Sequence, residues 1–207
     1  MAIAKGGSNW ILVPLTLGIM SIVPYVIIRQ FYFLILAIFW FIIAGFFVIF
    51  FRDPDREPPD DPKLIVAPAD GKIIRIDKMN KSYIRICTFM NVHNVHVNRM
   101  PIDGQITKIT HKLGGFKPAY DKDSEDNERV HITAKTRLGK IEIVQIAGLL
   151  ARRIVPYVQE GQKVERGQRI GIIRLGSRVD LVLPVNKVEV EIGMKVQAGT
   201  SVIAKIR

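Results

Sequence analysis

Apolar residues fill the first fifty positions of the chain: Trp10 to Ile28 and Phe31 to Phe51 contain no charge, and only Arg29 and Gln30 separate them. At about 1.5 Å per helical residue, the second run covers the roughly 30 Å hydrocarbon core of a bilayer. Helices that pack in a soluble core keep a polar face, and these runs have none, so the pattern predicts a transmembrane helical hairpin over residues 1–51. Pro14 and Pro24 weaken the first span without charging it. A cleavable signal peptide fits less well, because the first run is long, lacks a clear small-residue cleavage site and is followed at once by another span.

After Phe51 the pattern changes. Residues 52–63 carry four prolines among acidic and basic side chains, which breaks helix and marks a linker. From Leu64 onward short alternating or β-branched runs recur between Gly, Pro and Asp turns: Lys72–Ile76, Tyr83–Phe89, Val130–Thr136, Lys140–Ile146, Ile170–Ile173, Val179–Leu183 and Lys187–Ile192. That spacing predicts a β-rich domain over residues 64–207. Gly114 to Arg129 is polar and charge-dense, and reads as a mobile loop or a lid.

Two internal echoes sharpen the fold. Pro68-Ala69-Asp70-Gly71-Lys72-Ile73 returns as Pro101-Ile102-Asp103-Gly104-Gln105-Ile106, and Gly161-Gln162-Lys163-Val164-Glu165-Arg166-Gly167 returns as Gly193-Met194-Lys195-Val196-Gln197-Ala198-Gly199. Paired units with glycine at both ends are similar to the sandwiched β-hairpins of biotinyl and lipoyl carrier domains. The expected class is therefore mainly β, a barrel-sandwich-like domain behind an N-terminal α-helical hairpin. The place between the second pair of repeats, where a carrier domain shows its lysine, holds Leu175-Gly176-Ser177-Arg178 instead.

Charge adds a direction. The net charge of +11 lies almost wholly after the apolar segment, since Lys5 and Arg29 are the only charges before Arg52. Such a balance suits an anionic bilayer surface or nucleic acid, and the apolar hairpin selects the membrane. Basic residues that follow the second span place the domain on the cytoplasmic side of a cell membrane. Cys87 is the only cysteine, so no intrachain disulfide can form.

The chemistry centres on Gly176-Ser177. A serine hydroxyl beside the preceding carbonyl can attack it, shift the acyl group from nitrogen to oxygen and, after elimination, leave an N-terminal pyruvoyl group. The competing reading is a Gly-Ser turn between two strands. Self-cleavage needs a base, because a free serine hydroxyl is a weak nucleophile. His93 and His96 are the candidates, with a carboxylate from Asp70 or its echo Asp103 to orient the ring. Zinc binding by the His-x-x-His pair is a rival use, but no companion pair stands at ligand spacing and no metal is expected.

The apolar hairpin, the Phe51-to-Arg56 exit, Ala67-Pro68-Ala69-Asp70-Gly71, the His93 and His96 pair, Gln145 to Ile154 and Leu175-Gly176-Ser177-Arg178 occur in the order found in short-form phosphatidylserine decarboxylase proenzymes. The chain resembles that family over most of its length. The resemblance implies that Asp70, His96 and Ser177 form the self-cleavage triad, that Gly176-Ser177 is the scissile bond, and that His93 serves the decarboxylation. It implies a pyruvoyl cofactor made from Ser177 that forms a Schiff base with phosphatidylserine or archaetidylserine and yields phosphatidylethanolamine or its ether counterpart. Implied partners are the lipid, the membrane and the two chains of one precursor, with a homo-oligomer allowed and no nucleic acid. Arg178 departs from the threonine of longer bacterial members. Two other readings stand beside this one: a membrane-anchored carrier-like adaptor without catalysis, and a membrane-tethered zinc peptidase.

Overall fold

The structure, a computed structural model, describes residues 2–79, 82–115, 127–148, 153–174 and 177–206. It divides into two compact units, Met1–Asp55 and Arg56–Arg207.

In the first unit a short strand β1 (Ala2–Ile3) precedes helices α1 (Ser8–Ile28) and α2 (Phe31–Phe50) and pairs antiparallel with β2 (Arg52–Asp53). The helices meet through small residues: Gly18 and Ser21 of α1 and Ala37 and Ala44 of α2 are buried, whereas most large apolar side chains face outward. A Cβ on Gly18 would lie 2.9 Å from the Phe41 ring, so glycine sets how closely the helices approach. The turn is made by Arg29, whose φ of 60° is left-handed and whose N–H caps the helix on the Tyr25 carbonyl at 3.0 Å. Both helices are long and apolar enough to cross a bilayer, and only 17% of each apolar window is buried, unlike the core helix of a soluble protein.

The second unit is built almost wholly of strands: β3 (Leu64–Val66), β4 (Gly71–Lys78), β5 (Ile84–Met90), β6 (Val97–Arg99), β7 (Gly104–Lys112), β8 (Arg129–Thr136), β9 (Gly139–Ala147), β10 (Ile154–Pro156), β11 (Lys163–Val164), β12 (Arg169–Ile173), β13 (Ser177–Leu183), β14 (Lys195–Val196) and β15 (Val202–Lys205). Eight of them form one antiparallel sheet in the order β11-β7-β8-β9-β13-β5-β4-β14; β10-β12-β6 form a second sheet and β15-β3 a third. Successive side chains of β13 alternate between faces. Val179, Leu181 and Leu183 join the apolar core with Ile73, Ile86 and Ile143, and Arg178 and Asp180 project to the other side.

The echoes in the sequence are a structural repeat. Val164 opposes Gly104 and Lys163 opposes Gln105, just as Val196 opposes Gly71 and Lys195 opposes Lys72. The Ile106 N–H donates to Gln162 O as the Ile73 N–H donates to Met194 O, both at 2.9 Å. Each repeat closes with an aspartate on a backbone amide: Asp103 accepts from Arg166 N at 2.7 Å and Asp70 from Ala198 N at 2.8 Å.

The mainly β expectation holds, with differences in detail. Lys187–Ile192 is not a strand: after Leu183 the chain has to cross from the central strand to the sheet edge at β14, and its one backbone bond to a neighbouring strand is Glu189 N–H to Ile203 O. Between Val164 and Ile173 the chain forms two strands, β11 and β12, separated by a turn at Glu165 to Gln168. Strand β7 was absent from the expected set, because a register shift between Ile106 and Lys108 sets its two isoleucines three apart and breaks the alternation. Most of the expected Gly114–Arg129 loop, residues 116–126, lies outside the described residues, as do Leu175 and Gly176.

Candidate active site

The chain leaves the small sheet at Ile173 and enters the centre of the large one at Ser177, so Ser177 is the first residue after the crossover between sheets. Ser177 is fully buried. Its backbone is gripped from both sides, opposite Met90 of β5 and Ala147 of β9, and its Oγ donates to the Met90 sulfur at 3.6 Å. Neither strand neighbour is charged, and the sulfur is a weak acceptor.

His96 is also fully buried, one residue before β6. Its carbonyl accepts from Ile173 N at 3.4 Å, which fixes the imidazole strand beside the segment that runs into Ser177. His96 Nδ1 lies 2.9 Å from the Asn94 carbonyl. A carbonyl can only accept, so Nδ1 carries the proton and the lone pair resides on Nε2, the tautomer that a base requires. His93 is exposed in the turn from Asn91 to Asn94, closed by Asn94 N–H to Asn91 O at 2.9 Å. That turn begins after Met90 and ends at His96, so both of its ends border the crossover.

Asp70 and Asp103 hold equivalent places in the repeat and differ in surroundings. Asp103 is exposed and bonds the Arg166 amide. Asp70 is buried and takes both guanidinium nitrogens of Arg56, at 2.5 and 2.9 Å, in addition to the Ala198 amide. Among the described residues, those three donors hydrogen-bond its carboxylate, and the His96 Nδ1 bond goes to Asn94. The ring of His96 is oriented by Asn94.

Arg56, Asn98 and Gln145 are the site residues that the sequence did not single out for a role. Asn98 of β6 and Gln145 of β9 are both fully buried; Gln145 Nε2 donates to Asn98 Oδ1 at 2.7 Å, and Asn98 Nδ2 donates to the Met90 sulfur at 3.6 Å. A polar chain thus runs from Gln145 through Asn98 to the sulfur that also receives the Ser177 hydroxyl. Gln145 Oε1 is buried with no hydrogen-bond partner among the described residues. A buried amide at an apolar strand position is the signal that could have found Gln145, in a run otherwise of Val, Ile and Ala.

Behind Ser177, on the other face of β13, Arg178 and Asp180 form an ion pair at 2.8 Å, both nearly buried. Burial raises the Asp180 carboxyl above its ordinary range despite Arg178. Burial, with Asp180 beside it, pushes the Cys87 thiol far up. Among the described residues no three His, Cys, Asp or Glu side chains gather as a metal site would need.

The description "phosphatidylserine decarboxylase" belongs to the family model that matches residues 43–204. A phosphatidylserine decarboxylase proenzyme of Streptomyces coelicolor is 52% identical over 153 residues, 73% of this chain and 69% of that protein. A protein of Methanothermobacter thermautotrophicus, provisionally named an archaetidylserine decarboxylase proenzyme, is 46% identical over 189 residues, 82% of this chain and 85% of its own length. One of Methanococcoides burtonii with the same provisional name is 49% identical over 162 residues, covering 77% of this chain and 76% of that protein. These matches place the chain among the decarboxylases, enzymes of the lyase class. It belongs to the phosphatidylserine decarboxylase family.

Proposed function

We propose that the chain is a self-processing precursor whose Ser177 becomes a pyruvoyl group, and that the matured enzyme removes carbon dioxide from the serine headgroup of a membrane phospholipid. The observation that carries this reading is Ser177 itself: a fully buried serine, next to glycine in the sequence, where the chain enters the large sheet, four residues after Ile173, whose N–H donates to the carbonyl of the buried His96.

Maturation consumes one water and releases one ammonia. His96 Nε2 takes the Ser177 proton as Oγ attacks the Gly176 carbonyl; the Gly176–Ser177 amide breaks and an ester to Oγ forms. Loss of the Ser177 α-proton expels the Gly176 carboxylate and leaves dehydroalanine, which water converts to the ketoacyl end. Asp70 is assigned to self-cleavage on the family resemblance, its carboxylate held by Arg56 and the Ala198 amide, while Asn94 orients the imidazole. Burial of these groups suits the step, since water would compete for the ester.

The residues around Ser177 fit the group it would become. Met90 and Ala147 are its uncharged strand partners, and the Met90 sulfur that takes the Ser177 hydroxyl is also held by the Asn98–Gln145 amide pair. When formed, the ketoacyl group acts as an electron sink for the bond to carbon dioxide. His93, exposed in the turn between Met90 and His96, delivers the proton that replaces the lost carboxyl. The headgroup is the same in diacyl and ether lipids, so one site serves both. Two apolar helices with the domain's basic residues after them hold the enzyme at the cytoplasmic face of the membrane, where this headgroup lies.

Intact-mass analysis of the purified protein tests the reading. Wild type is expected to yield residues 1–176 and a 31-residue fragment, 177–207, that has no free amine and reacts with hydrazines. Ser177→Ala and His96→Ala are expected to stay whole, and His93→Ala to be cut but to release little carbon dioxide from carboxyl-labelled phosphatidylserine. An active wild type with one uncut chain and an ordinary serine at 177 sinks the proposal.

A further inference from the structure

Two arginines face one another beside the crossover. The register that pairs Ile154 with Ile173 sets Arg153 directly opposite Arg174, and the Arg174 N–H donates to the Arg153 carbonyl at 3.2 Å. Like charges opposed across strands work against the sheet, so sheet stability does not account for this pair. Arg174 is half-buried and Arg153 exposed, so the pair reaches from the crossover to solvent. On its other side, β12 lies against β6, where His96 O meets Ile173 N. The two cations therefore share one sheet with the candidate base. Burial, with Arg153 beside it, already draws the Arg174 guanidinium below its usual range.

From this juxtaposition we infer that Arg153 and Arg174 bind the phosphodiester anion of the lipid headgroup, a specificity subsite for the reaction proposed above, on which the inference rests. The chemistry of the headgroup sets the spacing. Four bonds separate its amine nitrogen from phosphorus, at most about 6 Å, and in the precursor three Cα-to-Cα steps join Arg174 to Ser177, at most about 10 Å of backbone. Strand pairing holds Ile173 against Ile154 and Ser177 against Met90 and Ala147, so both ends keep their places when the bond between them is cut, and a lipid whose amine reaches Ser177 can bring its phosphate within reach of the Arg174 side chain. The cations belong on the phosphate and not on the carboxylate, because a guanidinium on the carboxylate would hold back the electrons that decarboxylation must release. Planar guanidinium forks also match two phosphate oxygens at once, which a lysine cannot do.

The test uses full-length wild type, Arg153→Gln, Arg174→Gln and Arg174→Lys. Cleavage is scored first by intact mass; an uncut wild type would overturn the self-processing reading before any affinity is measured. On cut enzyme, KM and kcat are measured with soluble dihexanoyl-phosphatidylserine. In parallel the ketoacyl end is trapped with serine methyl ester, which has the amine but no phosphate, and a borohydride. Both glutamine variants are expected to be cut, to raise KM about ten- to a hundredfold, and to trap the phosphate-free amine as wild type does, with Arg174→Lys recovering part of the loss. Glycerophosphoserine should compete in wild type more strongly than inorganic phosphate. The assignment is overturned by unchanged KM in both glutamine variants, by trapping that falls in parallel with turnover, by uncut chains in all three variants, or by inorganic phosphate competing as well as glycerophosphoserine.

Discussion

At the scale of single residues, the second unit places groups where their chemistry is set by burial. Cys87 is 1% exposed and its thiol is driven far above the ordinary value of about 9 by burial and by Asp180. In the unfolded chain the thiol ionises normally, so above pH 9 the unfolded state loses a proton that the folded state keeps. Stability therefore falls as pH rises, by about 1.4 kcal/mol per pH unit for this one group. Urea unfolding of Cys87→Ala against the parent between pH 8 and 10.5 is expected to show a shallower alkaline loss in the variant. Native protein should also resist thiol reagents at pH 8 until denaturant is added. The Asn98–Gln145 pair gives a second residue-scale expectation. Gln145→Leu strands the buried Asn98 amide and is expected to cost about 1–3 kcal/mol, while adding Asn98→Leu should recover part of it. Measured by urea midpoint on the uncuttable Ser177→Ala chain, a double variant less stable than the sum of the singles would contradict this account. None of this was legible beforehand, because Met90, Asn98 and Gln145 come from three strands and only the register brings them together. Ser177, His96 and His93 stood out because their residue types are scarce and chemically loaded; Arg56, inside a proline-rich linker, looked like one more solvated charge.

At the scale of elements, the repeat is what the sequence declared best. Equal motif spacings became equal strand pairings, because a glycine at each end lets the chain turn where other residues are strained. Gly71 carries the heaviest demand: its φ is 150°, and a Cβ there would lie 2.0 Å from the Phe89 carbonyl oxygen. Gly71→Ala must push β4 away from β5 and drag the neighbouring Asp70 with it. Gly139, with φ of 107° and open space around its Cβ position, is a fair control. Its alanine variant is expected to cost about 1–3 kcal/mol from backbone strain alone. Thermal melts on the Ser177→Ala background should show Gly71→Ala far below Gly139→Ala, and on the cuttable chain only Gly71→Ala should block cleavage. Equal melting points would show that the close approach at Phe89 relaxes freely. The elements that escaped notice have physical reasons of the same kind. Lys187 to Ile192 alternates as a strand does, but alternation only makes a segment eligible, and against β15 it forms the single backbone bond from Glu189 to Ile203 and no ladder. The turn inside Val164 to Ile173 lay hidden because its apolar flanks belong to different sheets.

At the scale of the whole molecule, the chain separates its tasks by composition: nearly all charge lies in the β unit, and the helical unit presents apolar side chains outward. That division was readable from hydropathy alone, since a bilayer selects for length and the absence of charge and leaves little else to decode. It also says what removing the helices should do. A chain of residues 56–207 keeps Arg56 with Asp70, the full core and every strand of the three sheets in the second unit, so it is expected to fold and to cut itself at the wild-type rate. Its turnover of monomeric dihexanoyl-phosphatidylserine should match that of the full chain. On long-chain phosphatidylserine in vesicles it should be slower, because it must find the surface from solution at each encounter. The positive charge of the β unit would offset part of that deficit, each basic residue near an anionic surface contributing about 1 kcal/mol. The truncated enzyme should therefore lose activity on vesicles steeply as salt rises past a Debye length of about 8 Å, whereas the anchored enzyme should not. Vesicle and monomer assays at 20 and 300 mM salt separate the cases: equal salt dependence of the two chains would mean that the helices do not supply the attachment, and failure of the short chain on the monomer would mean that they shape the site itself.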